Sequence, residues 1–143
     1  VTRKNISLHR LNPRAVALEA DALAPPPLRM QNFDLIACNP PYITEEECQA
    51  LDTSVRDWEP MLALDGGEDG LVFYRSVLQN WKSVLKDGGW IIFEVGEGQA
   101  ADVRALLLEA GFHNLGCTLD TLGTERVIYA QKKKPIPTDS EEM

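Results

Sequence analysis

Two apolar runs stand out along the chain, and each ends at a sharp break. The first, at 33–38 (FDLIAC), stops at 39–42 (NPPY), and the second, at 90–95 (WIIFEV), stops at 96–98 (GEG). Near-continuous apolar runs of this length are typical of strands in parallel sheets, whose two faces are both covered. The pattern therefore predicts two buried parallel strands, each followed directly by a loop.

Apolar residues recur at helical spacing in two other stretches. The stretch 69–86 predicts an amphipathic helix that ends at 87–89 (DGG), and 99–110 predicts a second helix closed by Gly111. The apolar positions of the first helix are Leu71, Tyr74, Val77, Leu78, Trp81 and Leu85. In addition, 45–51 favours a helical turn.

The remaining segments favour one more helix and three more strands. Residues 2–11 favour a helix, and 15–20 (AVALEA) favour a short strand. Residues 112–119 and 125–131 favour two strands that pair antiparallel through a turn at Gly123. This alternation of helices and strands predicts an α/β fold with a mostly parallel sheet that ends in an antiparallel strand pair.

Charge is distributed unevenly along the chain. The 14 Lys and Arg residues face 22 Asp and Glu residues, a net charge of −8, and segment 45–69 alone holds nine acids and one arginine. Binding to duplex DNA normally needs clustered basic residues, and such a cluster occurs only at Lys132–Lys134. We therefore expect no nucleic-acid partner. The acidic segment suits either a solvated loop or a basic protein partner.

The cysteines, the histidines and the lengths of the apolar stretches indicate the cellular compartment. The chain holds three cysteines without a CxxC spacing and two isolated histidines, at Cys38, Cys48, Cys117, His9 and His113. This pattern predicts neither a disulfide framework nor a metal site. No stretch reaches 18 apolar residues, and residues 1–20 lack the apolar core of a signal peptide. We therefore expect no membrane association and a cytoplasmic location.

The tetrapeptide Asn39-Pro40-Pro41-Tyr42 is the strongest chemical signal. It follows a predicted strand, at the position where α/β sheets bind ligands. The prolines present carbonyl groups without competing amide hydrogens, while Asn39 adds an amide oxygen and Tyr42 an aromatic face. Together these groups suit a planar substrate that carries an NH2 group. The structural alternative is a proline-rich strand exit with a buried tyrosine.

The tetrapeptide and the blocks around it resemble one enzyme family. NPPY is similar to the signature of amino-group methyltransferases that use S-adenosylmethionine. FDLIACNPPYI, 55–75 (VRDWEPMLALDGGEDGLVFYR), 91–99 (IIFEVGEGQ) and 122–130 (LGTERVIYA) resemble the HemK/PrmC family. The resemblance implies the C-terminal portion of a Rossmann-like class I S-adenosylmethionine-dependent methyltransferase fold. It also implies N5 methylation of glutamine in the Gly-Gly-Gln motif of peptide chain release factors.

The resemblance assigns substrate roles to individual residues. It implies that Asn39 and the carbonyl of Pro40 hold the glutamine amide, that Pro41 keeps the loop rigid and that Tyr42 packs on the amide plane. Asn39, Pro40 and Tyr42 are thus the implied catalytic residues. Glu59-Pro60 and 66–67 (GG) would shape the substrate entrance, with Glu59 as a substrate-binding residue.

The implied cofactor, S-adenosylmethionine, would contact Asp21, Ala22 and Asn39. Asp21 and Ala22 match the position that meets the adenine region, although the family often has an aromatic residue where this sequence has Ala22. Glu94 and Arg126 also match family positions. We interpret them as structural residues, with Arg126 paired to an acid.

The resemblance further implies that part of the catalytic domain is missing from this sequence. The family's glycine-rich cofactor loop, its ribose-binding acid and its N-terminal helical domain all precede the matching segment. We therefore expect 1–131 to form a partial catalytic domain and 132–143 to be a disordered tail. The isolated chain should be inactive and, with an exposed sheet edge, prone to self-association.

Two other interpretations stay open. The segment 95–98 (VGEG) also follows a strand and opens a helix, so it can serve as the cofactor loop with Asp120 as the ribose-binding acid. This is the permuted order of some DNA adenine or cytosine amino-methyltransferases, although two glycines without a third are weak evidence. The other interpretation is a non-catalytic interaction unit whose acidic loop binds a basic partner in a salt-dependent way.

Overall fold

A four-stranded mixed sheet forms the centre of the computed structural model, which describes residues 1–51 and 60–135. The strands are β1 (Phe33–Cys38), β2 (Leu85–Glu94), β3 (Phe112–Leu119) and β4 (Glu125–Lys132), in the spatial order β1-β2-β4-β3. β1 and β2 are parallel, whereas β4 is antiparallel to both β2 and β3. β1, β2 and β3 therefore share one direction. This confirms the predicted α/β class, with a mostly parallel sheet and a final antiparallel pair.

The helices agree with the sequence prediction in position more than in length. They are α1 (Thr2–Leu8), α2 (Glu45–Ala50), α3 (Val72–Ser76) and α4 (Ala100–Glu109), with a 3₁₀ turn at Met61–Ala63. α1 ends earlier than the predicted 2–11 because Arg10 adopts a left-handed conformation with φ 54°, which a right-handed helix cannot continue. Within the described residues, no helix is long and apolar enough to cross a bilayer.

One face of the sheet carries the hydrophobic core. Ile91, Phe93 and Val95 alternate along and just beyond β2 and are fully buried, together with Ile128 of β4, which lies opposite Phe93. Val103 and Leu107 of α4 and Tyr74 of α3 pack against this face. The period-two burial explains why the apolar run WIIFEV forms a strand whose one face is covered by helices.

The predicted continuous helix over 69–86 is wrong in its second half. After α3 the chain widens into a π-helical turn at Val77–Trp81 and then tightens into a 3₁₀ turn at Lys82–Val84. In a widened turn, residues five apart face the same side. Ser76 Oγ and Trp81 Nε1 accordingly both donate to the carbonyl oxygen of Ala22, at 2.9 and 3.2 Å. A tertiary contact thus replaces regular helix geometry.

β2 also begins earlier than its apolar run. Leu85 pairs with Phe33, and the next pair joins Trp90 to Leu35, so a wide irregularity separates them. Gly88 lies in this irregularity with φ 80°. The sequence predicts that the segment DGG ends the helix. The structure places it inside β2, because residues before it (Leu85) and after it (Trp90) both pair with β1.

The predicted strand at 15–20 does not form. A strand needs a hydrogen-bonding neighbour, and none of the four described strands pairs with this segment. Val16 and Leu18, the apolar residues of the alternation, are 79% and 62% exposed. Local alternation is therefore insufficient where the segment does not pair with a strand of the sheet.

The prediction that the strand at 33–38 is buried is wrong, because β1 forms one edge of the described sheet and none of its residues is fully buried. Phe33 and Leu35 are 41% and 49% exposed. Both border a cavity of about 350 Å³ that also contacts Met30 and Trp81. An unpaired, apolar edge of this kind favours pairing with another chain.

We expect the 143-residue polypeptide to self-associate through this edge. Leu35→Lys should shift the assembly toward monomer, because a charge beside the edge opposes strand pairing. Sedimentation equilibrium over a range of concentrations measures the shift. Leu108→Lys, at a position 60% exposed on α4, is the matched control and should leave assembly unchanged. A 15.9 kDa monomer at every concentration would contradict the expectation.

Candidate active site

The residues singled out from the sequence meet at one end of the sheet. Cys38, the last residue of β1, lies opposite Phe93, so the segments that follow β1 and β2 leave the sheet side by side. β4 enters at the same end, since the Val95 amide donates to the carbonyl of Arg126 at 2.9 Å. Parallel pairing of β1 and β2 therefore juxtaposes the NPPY segment and the GEG turn, as predicted.

The four residues of the loop Asn39–Tyr42, which we call the NPPY loop, differ in how far they are buried. Asn39 is exposed, Pro40 is buried, and Pro41 and Tyr42 are half-buried. The side chain implied to hold a substrate amide thus lies at the surface, above a proline fixed in the protein. This arrangement leaves Asn39 accessible to a ligand while limiting the backbone freedom beneath it.

The chain after the loop is bound to the segment 64–67. The Ile43 amide donates to Leu64 at 3.1 Å, and the Gly66 amide donates back to Ile43 at 2.8 Å. A β-carbon at Gly66 would lie 2.7 Å from Tyr42 Cα and 2.9 Å from the carbonyl oxygen of Pro41. Gly66 therefore contacts the NPPY loop directly, which agrees with its implied place at the substrate entrance.

α2 begins just after the NPPY loop, with Thr44 as its N-terminal cap. Thr44 caps α2, accepting from the Glu47 amide at 3.2 Å, while the Glu47 carboxylate accepts from the Thr44 amide at 2.9 Å. The hydrogen bonds that the Glu47 carboxylate accepts from the amide and the hydroxyl of Thr44 hold the pKa of Glu47 below its usual range. Glu47 is thus a carboxylate close to the NPPY loop. Glu59, the other acid implied to lie near the substrate, falls outside the described residues.

A cavity of about 500 Å³ opens beside the NPPY loop. Its lining includes Tyr42, Gln99 and three acids, Glu47, Asp69 and Glu97. None of the described residues that line it is Lys or Arg. The electrostatic field at the loop is therefore that of an acidic cleft, which disfavours phosphate groups.

Asp21 and Ala22 lie in a tight turn that packs on the helical segment 72–81, which precedes β2. The Asp21 carboxylate accepts from the Leu23 amide at 2.8 Å through one oxygen, and the residue is exposed. The carbonyl of Ala22 accepts from Ser76 and Trp81. Ala22 and Cys38 border one cavity, which brings the turn close to the residue before Asn39.

Asp21 and Asn39 each carry a group that suits part of a nucleoside cofactor. An exposed carboxylate with one oxygen committed and an exposed amide are suitable partners for hydroxyl and amino groups. Ala22 offers no aromatic surface for stacking. Polar groups thus occur at the expected positions, whereas residue 22 lacks the aromatic side chain that often occurs there in the family.

Asp120 and Arg126 form a second polar group at this end of the sheet. Asp120 Oδ1 accepts from the amides of Leu122 and Thr124, at 2.8 and 3.0 Å, and Oδ2 accepts from Arg126 Nε at 3.0 Å. These bonds hold the pKa of Asp120 below its usual range. Arg126 Nη2 also lies 3.8 Å from Glu97. The expected pairing of Arg126 with an acid is confirmed, and both oxygens of Asp120 serve the β3–β4 turn.

α3 supplies a buried hydroxyl group that the sequence analysis did not single out as polar. Tyr74 is fully buried, and its hydroxyl donates to the carbonyl of Glu94 at 2.8 Å. Burial raises the pKa of Tyr74 well above its usual range. Burial likewise raises the pKa of the Cys38 thiol, so neither group provides an anion near the loop.

Gln99 is the main site residue that sequence reasoning missed. Its side chain contacts the NPPY loop, the GEG turn and Gly70. A polar residue directly after a strand-to-helix turn was the available signal. The periodicity instead placed residue 99 inside a helix, where a glutamine carries no particular implication.

Comparison with known proteins identifies relatives of one kind. No protein-family model matches the chain. A release factor glutamine methyltransferase of Clostridium botulinum is 43% identical over 131 residues, which are 92% of this chain and 46% of that protein. One of Geobacter sulfurreducens is 44% identical over 102 residues, covering 71% of this chain and 36% of that protein. The chain thus spans about half the length, or less, of the curated relatives it matches.

A solved structure shows the fold independently of sequence. An O-methyltransferase family protein from Burkholderia thailandensis superposes with a TM-score of 0.52 at 14% identity, over 94% of this chain and 41% of that chain. The sheet and its flanking helices are therefore those of a methyltransferase fold. The resemblance to release factor glutamine methyltransferases that the NPPY segment and its neighbouring blocks indicated is confirmed.

Gly70 provides a direct test of how closely the loop is packed. Gly70 and Gly123 both have positive φ, 71° and 83°. Alanine at Gly123 meets no atom within 4 Å, so its cost is backbone strain alone, about 1–2 kcal/mol. A β-carbon at Gly70 would lie 2.6 Å from Gln99 Nε2 and also collide with the Tyr42 carbonyl oxygen.

We therefore expect Gly70→Ala to lower the free energy of unfolding by about 1–3 kcal/mol more than Gly123→Ala, the usual cost of overpacking. Denaturant titration of both variants measures the difference. Equal losses would mean that the loop yields freely and is not closely packed.

Proposed function

We propose that the full-length protein containing this sequence transfers a methyl group to the N5 amide nitrogen of glutamine in the Gly-Gly-Gln motif of peptide chain release factors. One observation carries the proposal. The NPPY loop, with Asn39 exposed above buried Pro40, occupies the ligand-binding end of a methyltransferase-type sheet in a chain similar to release factor glutamine methyltransferases.

The NPPY loop suits an amide substrate for a chemical reason. An amide nitrogen is a poor nucleophile because its lone pair is delocalised into the carbonyl group. The side-chain oxygen of Asn39 and the carbonyl of Pro40 would accept its two N–H groups and direct the nitrogen. Tyr42 would pack on the amide plane. Catalysis then depends on orientation and on acceptors that stabilise the charge developing on nitrogen.

A strong general base is not needed at this site. Asn39 has no proton-accepting side chain at neutral pH, and it contributes hydrogen bonding alone. The thiol of Cys38 and the hydroxyl of Tyr74 keep their protons, since burial raises both pKa values. The residues of the site therefore hold and aim the substrate. The nitrogen, positively charged once it has gained the methyl group, then releases one proton to solvent water.

We propose S-adenosylmethionine as the methyl donor. It would supply an electrophilic methyl group on a sulfonium. Asp21 and Asn39 would bind its polar groups, with Ala22 beside the adenine region. The exposed Asp21 carboxylate and the shared cavity of Ala22 and Cys38 support this placement.

The acidic cleft supports a basic protein surface as the partner. Glu47, Asp69 and Glu97 border the cavity beside Tyr42, so a cationic loop would be attracted to it and a nucleic acid repelled. We propose that release factors dock on this side of the sheet, in the cytoplasm. Association should weaken as salt is raised.

The permuted DNA amino-methyltransferase is disfavoured by two contacts. It requires Asp120 to hold a ribose, but both oxygens of Asp120 accept hydrogen bonds inside the β3–β4 turn. It also requires an open glycine loop after β2, but Gly96 is packed against Gln99 and Tyr42, which leaves Gly98 as the one open glycine of the GEG turn. A non-catalytic interaction unit differs from the proposal only in lacking methyl transfer, which an assay of the full-length protein measures.

We expect the isolated 143-residue polypeptide to show no detectable heat on titration with S-adenosylmethionine. A β-carbon at Gly96 would lie 2.9 Å from both Gln99 Oε1 and Tyr42 Cδ2, so the GEG turn is closed at its first glycine and open only at Gly98, where a β-carbon would meet no atom within 4 Å. Isothermal titration calorimetry measures the heat. Binding in the micromolar range would favour the permuted order and restore nucleic acid as a candidate substrate.

In the full-length protein, Asn39→Ala should lower kcat by about 10²–10³-fold, since it removes an acceptor aimed at the reacting amide. Transfer of labelled methyl groups to a release factor measures the rate, and mass spectrometry locates the added methyl on the glutamine. Asn5→Ala, on the exposed surface of α1, is the matched control and should retain full activity. An unchanged kcat in Asn39→Ala would remove the Asn39 side chain from the mechanism.

A further inference from the structure

The NPPY loop has few hydrogen-bond donors of its own. Pro40 and Pro41 lack amide hydrogens, so two successive positions cannot anchor the loop through backbone N–H groups. The loop must nevertheless hold the Pro40 carbonyl and the Asn39 side chain in fixed positions if it is to orient a substrate. An anchor has to reach the loop from another element, through an acceptor that the loop offers.

Gln99 provides such an anchor through the first carbonyl after the prolines. Its Nε2 donates to the carbonyl of Tyr42 at 2.9 Å and lies 3.3 Å from the carbonyl oxygen of Gly70. Its Oε1 accepts from the Gly96 amide at 2.9 Å. The partners fix the orientation of the amide, because two carbonyls face its nitrogen and a backbone N–H faces its oxygen.

The surrounding glycines show that this anchor sits in a closely packed junction. A β-carbon at Gly96 would lie 2.9 Å from both Gln99 Oε1 and Tyr42 Cδ2. One at Gly70 would lie 2.6 Å from Gln99 Nε2. The Gln99 amide therefore occupies a space that three backbone segments enclose, and a side chain of another shape or charge would not reproduce its contacts.

We propose that Gln99 is a positioning residue for methyl transfer, which holds the NPPY loop by its hydrogen bond to the Tyr42 carbonyl. The inference rests on the proposed function and extends it to a residue outside the NPPY loop. Gln99 acts through the loop: its amide couples the backbone after β2 to the loop after β1. Losing the Nε2 donor should leave the fold in place and let the loop depart from the geometry that orients the glutamine amide.

Two variants of the full-length protein separate the donor from the rest of the side chain. Gln99→Glu retains an acceptor for the Gly96 amide but places an oxygen where Nε2 faces two carbonyls. Gln99→Met keeps the length and removes the contacts with Gly96, Tyr42 and Gly70. Gln79→Glu, on an exposed position of the helical segment after α3, makes the same chemical change away from the site and should keep full activity.

Both Gln99 variants should lower kcat about tenfold to a hundredfold, the effect of small misplacements of reacting groups. The KM for S-adenosylmethionine should stay near the original value, and the thermal midpoint should fall while the transition stays cooperative. Hydrogen exchange, followed by mass spectrometry on the peptide that contains residues 39–45, should become faster. A kcat equal to that of the unchanged protein in both variants would overturn the inference. Loss of the cooperative thermal transition in both would also overturn it, because Gln99 would then be needed for folding.

Failure of the proposed function gives a different result. If the unchanged full-length protein transfers no methyl group to a release factor, the proposed function is wrong. The anchoring of the loop is then judged by hydrogen exchange alone. Faster exchange at 39–45 in Gln99→Glu but not in Gln79→Glu would support the anchor, and unchanged exchange would overturn it.

Discussion

The parallel pairing of β1 with β2 is the constraint on which the rest of the site depends. It brings the residues after both strands to one end of the sheet, with Cys38 opposite Phe93. Every later contact of the NPPY loop follows from that placement, including those with Gly96 and Gln99. Burial of Ile91, Phe93 and Val95 beneath the helices fixes the register, because a shift of one residue would turn these side chains toward the other face.

The NPPY loop combines a rigid backbone with an exposed polar end. Prolines suit a loop that must not relax around its ligand, yet they remove the amides by which loops are usually held. The structure resolves this conflict with contacts from outside the loop. Gly66 approaches its backbone closely, and Gln99 donates to its terminal carbonyl. Preorganisation here comes from neighbouring segments that are far away in sequence.

The acidic residues around the site differ in how far their charges are neutralised by neighbouring groups. Asp69 pairs with Arg75, and Asp120 pairs with Arg126, so these two acids are partly neutralised by their own surroundings. Glu47 is held ionised by hydrogen bonds from Thr44, and Glu97 is only distantly paired with Arg126. Among the described residues that line the cleft, Glu47 and Glu97 therefore contribute most of its negative charge.

The sequence by itself determined the features that depend on local pattern. The apolar runs predicted the positions of β1 and of the core of β2, the helical spacing predicted α4, and the NPPY segment predicted where the candidate site lies. A buried strand such as β2 leaves a continuous local signal, and proline fixes backbone conformation wherever it occurs. The exposure of β1 at the sheet edge left no such signal.

Tertiary structure alone decided the rest. The segment 15–20 has a strand-like alternation but no neighbouring edge, so it does not pair. The helix after Gly70 widens at Val77–Trp81 because Ser76 and Trp81 share the carbonyl of Ala22, 54 residues or more away in the chain. Gln99 gained its place in the site only when β1 and β2 paired, because hydrogen bonds between distant segments leave no periodic trace in the sequence.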